Sequence, residues 1–451
     1  MGKYHFIAIG GIGMSGLAKY LLEEGHTVSG SDIEDSKYIN ALRDLGATVY
    51  IGHDEKNLPE DATVIVSTAI RETNPELKKA RNLGLKVYHR SDLLQEISAS
   101  AQKQGKCFIG YSGTHGKTTT SGLSSYVLEK SGFEPAFVVG GIVPDIHTNA
   151  QHKGGKYFTA ELDESDGTIV KYSSDILVIN NLEEDHVDFY KNGLSDLVAT
   201  FNKAISNSKK VLINADNNGC KMLNGEHITF GLNEADYVAK SISSSKDGSK
   251  FDMYYRGKYI DTIEIQLTGK HNIYNALSVA ASLHISGIDI SKVKEHFKTF
   301  TGMGRRFQHI CSLEGIEVYD DYAHHPTEIN AALDAASTKF GKENIVAVFQ
   351  PHRYTRLKGL WNDFQDSFSN AKRVIVTDVY AASEDVIEGI SGENFAKSMD
   401  KAEYIQGSIE NVAKELLPTL KKGNVVIGLG AGTITDLGKY LQKYYGELSC
   451  K

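Results

Sequence analysis

Cysteine is scarce: Cys107, Cys220, Cys311 and Cys450 are the whole complement, widely scattered and without a C-x-x-C pair. That spacing argues against a disulfide framework and fits a reducing compartment. Long blocks of Lys and Arg are missing too, and the formal net charge is -8. No nucleic-acid partner held by bulk electrostatics is therefore expected, and any anionic ligand must be gripped locally. No apolar run approaches the length of a membrane span. Residues 4–10 already read as a strand, with no cationic stretch and apolar signal segment before them. The expectation is a soluble, cytoplasmic chain without membrane insertion. No short internal repeat is evident, and no motif specifies an oligomeric state.

What is present begins with length. At 451 residues the chain exceeds one ordinary core, and a prior of about 150 residues per domain predicts three domains. The rest is organised around Gly113-Thr-His-Gly-Lys-Thr-Thr-Thr120, which lies between the apolar run 107–111 and the helix-like segment 121–130. Two glycines let the backbone approach phosphate oxygens, and successive N–H groups at a helix N-terminus attract the anion. Lys117 adds a point charge, and the Thr118 hydroxyl suits Mg²⁺. The common phosphate loop has a further glycine where this chain has Tyr111, so the loop is a shortened variant. A glycine turn without a ligand is the plain alternative, and the agreement of strand, loop and helix weighs against it.

Near the N-terminus, 4–9 reads as a strand, 14–24 as a helix and 27–30 as a strand. Between the first two, Gly11-Ile-Gly13-Met-Ser-Gly16 fits G-x-G-x-x-G, with Asp32 about 20 residues on. This is a pyrophosphate cradle with a carboxylate suited to a hydroxylated group; taken alone it also fits a nicotinamide-dependent oxidoreductase. Helix and strand alternate through 39–46, 48–51, 63–68, 75–83 and 86–88, and the polar stretch 98–106 reads as a linker.

In the centre, acids and an imidazole follow apolar strands, in Glu161-Leu-Asp-Glu164-Ser-Asp166 and Glu183-Glu-Asp185-His186-Val-Asp188. Ligands gather at the carboxyl ends of parallel strands, so both clusters are expected to face the phosphate loop, where a metal would sit. Helix capping is the alternative for each. Thr268-Gly-Lys-His271-Asn272-Ile-Tyr-Asn275 opens an alanine-rich helix over 276–286, whose asparagines either cap it or read a base edge. The Ser/Lys-rich stretch 241–250 reads as an exposed loop.

In the last third, Asp321-Tyr-Ala-His324-His325-Pro-Thr-Glu328 follows strand 316–320, and Gln350-Pro-His352-Arg353-Tyr-Thr-Arg356 follows strand 345–349. Pro326 and Glu328 are helix-start chemistry. Arg353 and Arg356, one turn apart if helical, can present two guanidinium forks to a carboxylate or phosphate. The whole reads as an α/β chain of three domains: Rossmann-like over 1–98, a P-loop ATPase-type parallel sheet over 99–301, and a second Rossmann-like unit over 302–451.

Taken together, Gly10-Gly-Ile-Gly-Met-Ser-Gly-Leu-Ala18, the phosphate loop, Asp185-His186-Val-Asp188, Gly304-Arg-Arg-Phe-Gln308 and the two C-terminal motifs resemble the Mur ligases, in order and over nearly the whole chain. The resemblance implies ATP-dependent ligation of L-alanine to the lactyl carboxylate of UDP-N-acetylmuramate through an acyl phosphate, in peptidoglycan precursor synthesis. Members that add a tripeptide are the alternative, and the motif ending at Arg356 favours alanine. ATP and Mg²⁺, with Mn²⁺ as a substitute, are the implied cofactors. The implied UDP-sugar residues are Gly11, Gly13, Met14, Ser15, Asp32, Ser67 and Thr68. ATP would lie on Gly113, Thr114, His115, Gly116, Lys117, Thr118 and Thr119, with His271, Asn272 and Asn275 by adenine and Arg305 and Asp321 reaching phosphates and ribose. Thr118, Glu161 and His186 would hold metal, and Tyr322, His324, Arg353 and Arg356 the amino acid. Lys117, His186, His324 and Arg353 would be catalytic, His324 by accepting the ammonium proton. Lys203 is not expected to carry the carbamate that several family members place near their metals.

Overall fold

The computed structural model describes residues 2–186, 189–245, 247–382 and 384–449; Asp188 and Cys450, named above, lie outside them. The chain forms two units, one of Met1–Ser241, Phe251–Ile263 and Tyr274–Phe300, the other of Ile242–Lys250, Glu264–Ile273 and Thr301–Lys451. In the first unit, β1 (Lys3–Ile7) places Phe6 and Ile7 in full burial. It is central in a parallel sheet ordered β3 (Thr48–Ile51), β2 (Thr27–Asp32), β1, β4 (Thr63–Val66), β5 (Val87–His89). The order reverses beside β1, which opens a crevice at the carboxyl end of that strand. The glycine turn follows β1 directly and starts helix Ile12–Glu23.

A second sheet is built from β6 (Cys107–Ser112), β7 (Ala136–Val143), β8 (Thr148–Gln151), β9 (Tyr157–Glu161), β10 (Ile176–Ile179), β11 (Lys210–Asn214), β12 (Ile228–Gly231), β13 (Tyr237–Ser245), β14 (Gly248–Tyr255) and β15 (Lys258–Ile265). Its order is β15-β14-β13-β12-β11-β10-β6-β9-β7-β8. Every residue of β10 is buried, the pattern of a parallel strand covered on both faces. The β6 strand lies between β9 and β10, with Tyr111 opposite Glu161 and Ser112 opposite Ile179. That register sets Glu161 and the residues after Ile179 beside the phosphate loop. One apolar cluster runs from Phe6 and Leu17 through Phe108 and Phe158 to Phe201, so these two sheets share a core.

The second unit is ordered β16 (Gln308–Leu313), β17 (Ile316–Asp321), β21 (Val425–Leu429), β18 (Ile345–Phe349), β19 (Arg373–Val376), β20 (Ala402–Tyr404). Only the β16–β17 pair is antiparallel. Asp321 and Phe349 both register with Leu429, so the motifs after β17, β18 and β21 leave the sheet along one carboxyl edge. No helix among the described residues is long and apolar enough to cross a membrane.

Three sequence expectations are corrected. The stretch 98–106 is no linker: helix Arg90–Lys103 runs through it, because Ser98 and Ala101 continue the buried stripe of Leu94 and Ile97. The stretch 241–250 is mostly strand, in β13 and β14; residues 241–245 and Lys250 lie on exposed hairpin positions, while Ser249 is buried. Arg353 and Arg356 are not one turn apart on a helix. Helix Tyr354–Gly359 begins after Arg353, whose own backbone sits at φ +70°.

Candidate active site

The phosphate loop joins β6 to helix Lys117–Lys130. Gly113 and Gly116 adopt φ +128° and +81°, and a Cβ on them would lie 2.8 Å from Asn181 O and 2.7 Å from Asn275 Oδ1. Both glycines are therefore demanded by conformation and by space. Asn181 fixes the loop: its carbonyl accepts from Thr114 N at 3.0 Å, its Oδ1 from His115 N at 2.8 Å, and its Nδ2 donates to His115 O at 3.1 Å. The amides at the start of the following helix have no intrahelical acceptors and are left for an anion. Tyr111 is fully buried, its hydroxyl 2.7 Å from Ser282 Oγ, so the position of the missing glycine belongs to the strand core.

Lys117 Nζ donates to Glu164 Oε1 at 2.8 Å and to the carbonyls of Gly113 and Thr114 at 2.7 and 3.0 Å. Burial disfavours its charge, but Glu164, Asp163 and Glu161 outweigh that and hold the ammonium above the usual lysine range. Thr118 Oγ1 donates to Glu161 Oε1 at 3.1 Å, and Gly140 N to Glu161 Oε2 at 2.8 Å. Burial pushes the Glu161 carboxyl up in spite of those donors and Lys117, and Glu164 Oε2 is buried without a hydrogen-bond partner among the described residues. Under-compensated carboxylates with a threonine hydroxyl fit a hard divalent cation. His186, at φ +53°, sets Nε2 3.7 Å from Glu164 Oε1 and 3.6 Å from Asp185 Oδ2. Burial works against its protonation, yet those acids raise its pKa; binding metal through this ring would release a proton.

At the glycine turn, Asp32 Oδ2 accepts from Gly10 N and Oδ1 from Ile33 N, each at 2.8 Å. The carboxylate thus braces the turn. Met14 and Ser15 are buried, which leaves the backbone of that stretch for a ligand. Gly16 is tight for another reason: a Cβ there would lie 2.9 Å from Asn149 Nδ2, which donates to Ile12 O at 2.7 Å. Half-buried Ser67 and exposed Thr68 follow β4. Thr119 lies in the first turn after Lys117, and Asn275 borders Gly116.

In the second unit, Arg305 donates to Asp320 Oδ2 and Gly430 O, and its guanidinium lies 4.9 Å from the Tyr322 ring centroid. Asp321 accepts from the amides of Phe307 and Ala323, each at 2.7 Å, and burial pushes its carboxyl up to about 6. Both thus tie loops together. His324 Nδ1 is 2.9 Å from Tyr322 O; a carbonyl only accepts, so the neutral ring keeps its lone pair on Nε2. The rings of Tyr322, His324, His352 and Tyr380 follow one another at 5.2, 5.8 and 5.5 Å. Arg356 Nη1 is 3.1 Å from His352 Nδ1. Burial first, then His324, Arg356, Arg353 and Arg305, push the His352 pKa down to about 3. Arg353 holds its left-handed backbone by donating its amide to Tyr380 O at 2.9 Å. This unit also contains His271, against Gly269, and Asn272, which donates to Thr268 O.

Asn181 and Gly140 border the candidate site without belonging to any of its motifs, whereas Glu164 and His352 lie inside the acidic and C-terminal motifs named above. Gly140 and Asn181 become visible only once β7 and β10 are known to flank the strands bearing Glu161 and the loop.

A phosphate loop with buried acids and a Rossmann glycine turn in one unit, and a cluster of histidines and arginines at a strand edge in the other, define a nucleotide-dependent ligase architecture. Family models match accordingly: the Mur ligase family catalytic domain over residues 3–102, the Mur ligase middle domain over 112–283, and the Mur ligase glutamate ligase domain over 305–432. The chain belongs to the Mur ligase family. It is 38% identical over 449 residues to the UDP-N-acetylmuramate--L-alanine ligase of Hydrogenobaculum sp. (strain Y04AAS1), covering 98% of each chain. It is 40% identical over 447 residues to the enzyme of that name from Carboxydothermus hydrogenoformans, covering 96% of this chain and 95% of the relative. The crystal structure of UDP-N-acetylmuramate-alanine ligase from Thermotoga maritima superposes with TM-score 0.85 at 30% identity, over 99% of this chain and 100% of that one. A murein peptide ligase from Psychrobacter arcticus shares the fold at TM-score 0.76 and 22% identity.

Proposed function

We propose that this protein is an ATP-dependent ligase that joins L-alanine to the lactyl carboxylate of UDP-N-acetylmuramate, forming ADP and phosphate in the synthesis of the peptidoglycan precursor. Residues 1–98 take the UDP-sugar, 99–301 take ATP and 302–451 take the amino acid. The carrying observation is the pairing of Lys117 with Glu164 and of Thr118 with Glu161 at the end of one strand. It concentrates an ammonium, a hydroxyl and an under-compensated carboxylate where a terminal phosphoryl group would be transferred.

The lactyl carboxylate attacks the γ-phosphorus and ADP leaves. The amine of alanine then attacks the acyl phosphate, and the tetrahedral adduct expels phosphate. Lys117 stabilises charge on the phosphoryl oxygens as they transfer. Thr118 and Glu161 would hold one divalent cation, Mg²⁺ or Mn²⁺, and His186 would help hold a second; such cations supply Lewis-acid stabilisation of phosphoryl oxygens. Arg353 and Arg356 bind the amino-acid carboxylate, and His324 Nε2 accepts the ammonium proton. Such substrates and the free thiols Cys107, Cys220 and Cys311 suit the cytoplasm. Phosphate release, measured with UDP-N-acetylmuramate and a panel of L-alanine, glycine, L-serine and tripeptide, tests the reading. L-Alanine should give the highest kcat/KM, and a strict preference for the tripeptide would overturn the assignment.

A further inference from the structure

Arg90 opens helix Arg90–Lys103 immediately after β5. A reciprocal cap fixes that start: the His89 ring accepts from Ser91 N, and Asp92 Oδ2 accepts from His89 N at 2.9 Å. The helix start also faces the segment that follows β9, because Lys171 Nζ reaches Ser91 Oγ at 2.9 Å and Asp92 Oδ1 at 2.5 Å. So placed, the guanidinium is divided between two neighbours. Its Nη2 donates to Asp163 Oδ2 at 2.5 Å, and its Nη1 lies 3.9 Å from the point a Cβ on Gly13 would occupy. Gly13 is in the first turn of helix Ile12–Glu23, where the backbone amides lack intrahelical acceptors. A planar fork with one arm on a carboxylate can still give its other arm to a phosphate oxygen.

Asp163 is well placed to position that fork. Its Oδ1 accepts from Ser165 N at 3.0 Å. Burial opposes its ionisation, but Arg90 and Lys117 hold it below the usual carboxylate range. It stands between Glu161, which receives Thr118, and Glu164, which receives Lys117. A chain of charge thus runs from the glycine turn through Arg90 and Asp163 to the phosphate loop, all within one unit. We propose that Arg90 is a further binding residue for the diphosphate of the sugar nucleotide, and that Asp163, its positioning partner, relays occupancy of that site to the phosphate loop. The inference rests on the proposed function, which assigns the glycine turn to a UDP-sugar.

The test is calorimetric titration of the full chain with UDP-N-acetylmuramate and, separately, with a non-hydrolysable ATP analogue, each with and without the other. Wild type should bind both, each tightening the other. In Arg90→Gln the sugar nucleotide should weaken by about 10-fold or more while the analogue alone changes by less than about 2-fold, and mutual tightening should fall towards none. Arg90→Lys, which keeps charge but loses the fork, should lie between. Asp163→Asn should abolish mutual tightening with a smaller loss of sugar-nucleotide affinity. Unchanged sugar-nucleotide affinity in Arg90→Gln would overturn the proposal. So would recovery of affinity in Arg90→Gln with Asp163→Asn, since the loss would then come from an unpaired buried acid. A parallel loss of both ligands with a lowered Tm would overturn it too, showing a structural clamp only. Failure of wild type to bind UDP-N-acetylmuramate would instead overturn the proposed function, a distinguishable result.

Discussion

Replacing Gly140 with alanine should separate catalysis from stability at the acid centre. A Cβ on Gly140 would lie 2.4 Å from Glu161 Oε2 and 2.7 Å from Cδ and Oε1. The Gly140 amide also holds that carboxylate at 2.8 Å. Ordinary van der Waals contact begins near ~3.4 Å, so the carboxylate must retreat by about 1 Å. Because the obstructed atoms are the end of a side chain and not backbone, the fold can yield. The expected stability loss is the one weakened hydrogen bond, about 0.5–1.5 kcal/mol. The same displacement moves Glu161 away from Thr118, and a misplacement of about 1 Å at a reacting centre costs on the order of 100-fold. Phosphate release at saturating substrates should therefore fall by about two orders of magnitude, with the divalent-cation optimum moved to higher concentration. Urea unfolding should show nearly the wild-type midpoint, and the ATP analogue should still bind. Wild-type kcat with an unshifted metal titration would refute the placement of Glu161 at the reacting centre.

Asn181→Ala removes both side-chain bonds to His115 and leaves an amide unmet, at about 1–3 kcal/mol. KM for ATP should rise roughly 10-fold or more, and an unchanged value in steady-state kinetics would show that the loop holds itself. His352 has a folded pKa pushed down to about 3, below the unfolded value near ~6.5. Between those pH values the unfolded chain binds the extra proton. Stability from this group is therefore complete above about pH 6.5 and is lost as pH falls, by up to ~1.4 kcal/mol per pH unit. His352→Asn should flatten that slope in urea titrations from pH 7 to pH 4, and an identical slope would be contrary evidence. Glu76 is fully buried and accepts from Ser31 Oγ, Asp54 N and Asn57 Nδ2 at 2.5, 3.2 and 3.0 Å. Glu76→Ala should cost about 3–5 kcal/mol by stranding those donors, and a loss under about 1 kcal/mol in urea unfolding would contradict this.

Sequence legibility follows sheet position. Fully apolar or alternating strands with glycine turns, such as β3 and β18, coincide with their expected ranges, and helix Lys117–Lys130 differs only in starting four residues earlier than expected. The failures lie where tertiary burial decides. Ser98 is polar in sequence yet buried beside Leu94 and Ile97, so a serine-rich helical turn has the composition of a linker. The hairpin of β13 and β14 carries serines and lysines because several of its positions are exposed, and composition then mimics a loop. No local pattern signals the left-handed backbone of Arg353, since the carbonyl that holds its amide belongs to Tyr380, far along the chain.

For the candidate site, the readable residues are those whose role is local: the phosphate loop needs its glycines because of its own φ values. The unreadable ones act across strands. Lys117 meets Glu164 only because β9 lies beside β6, and Glu161 is held by Gly140 only because β7 is the next strand out. Strand order is a global property that no window of sequence contains. Arg90 is the extreme case, an arginine at a helix start whose two neighbours, Gly13 and Asp163, follow strands of different sheets, β1 and β9. Sequence spacing assigns it to neither, and only the shared core of the first unit brings both within reach. If ligand coupling in this ligase runs through that pair, the packing of those two sheets is itself part of the catalytic apparatus. A core substitution such as Phe158→Ala, remote from every ligand, should then weaken mutual tightening of sugar nucleotide and ATP analogue more than it weakens either alone. Equal losses in all the titrations would confine coupling to the polar chain.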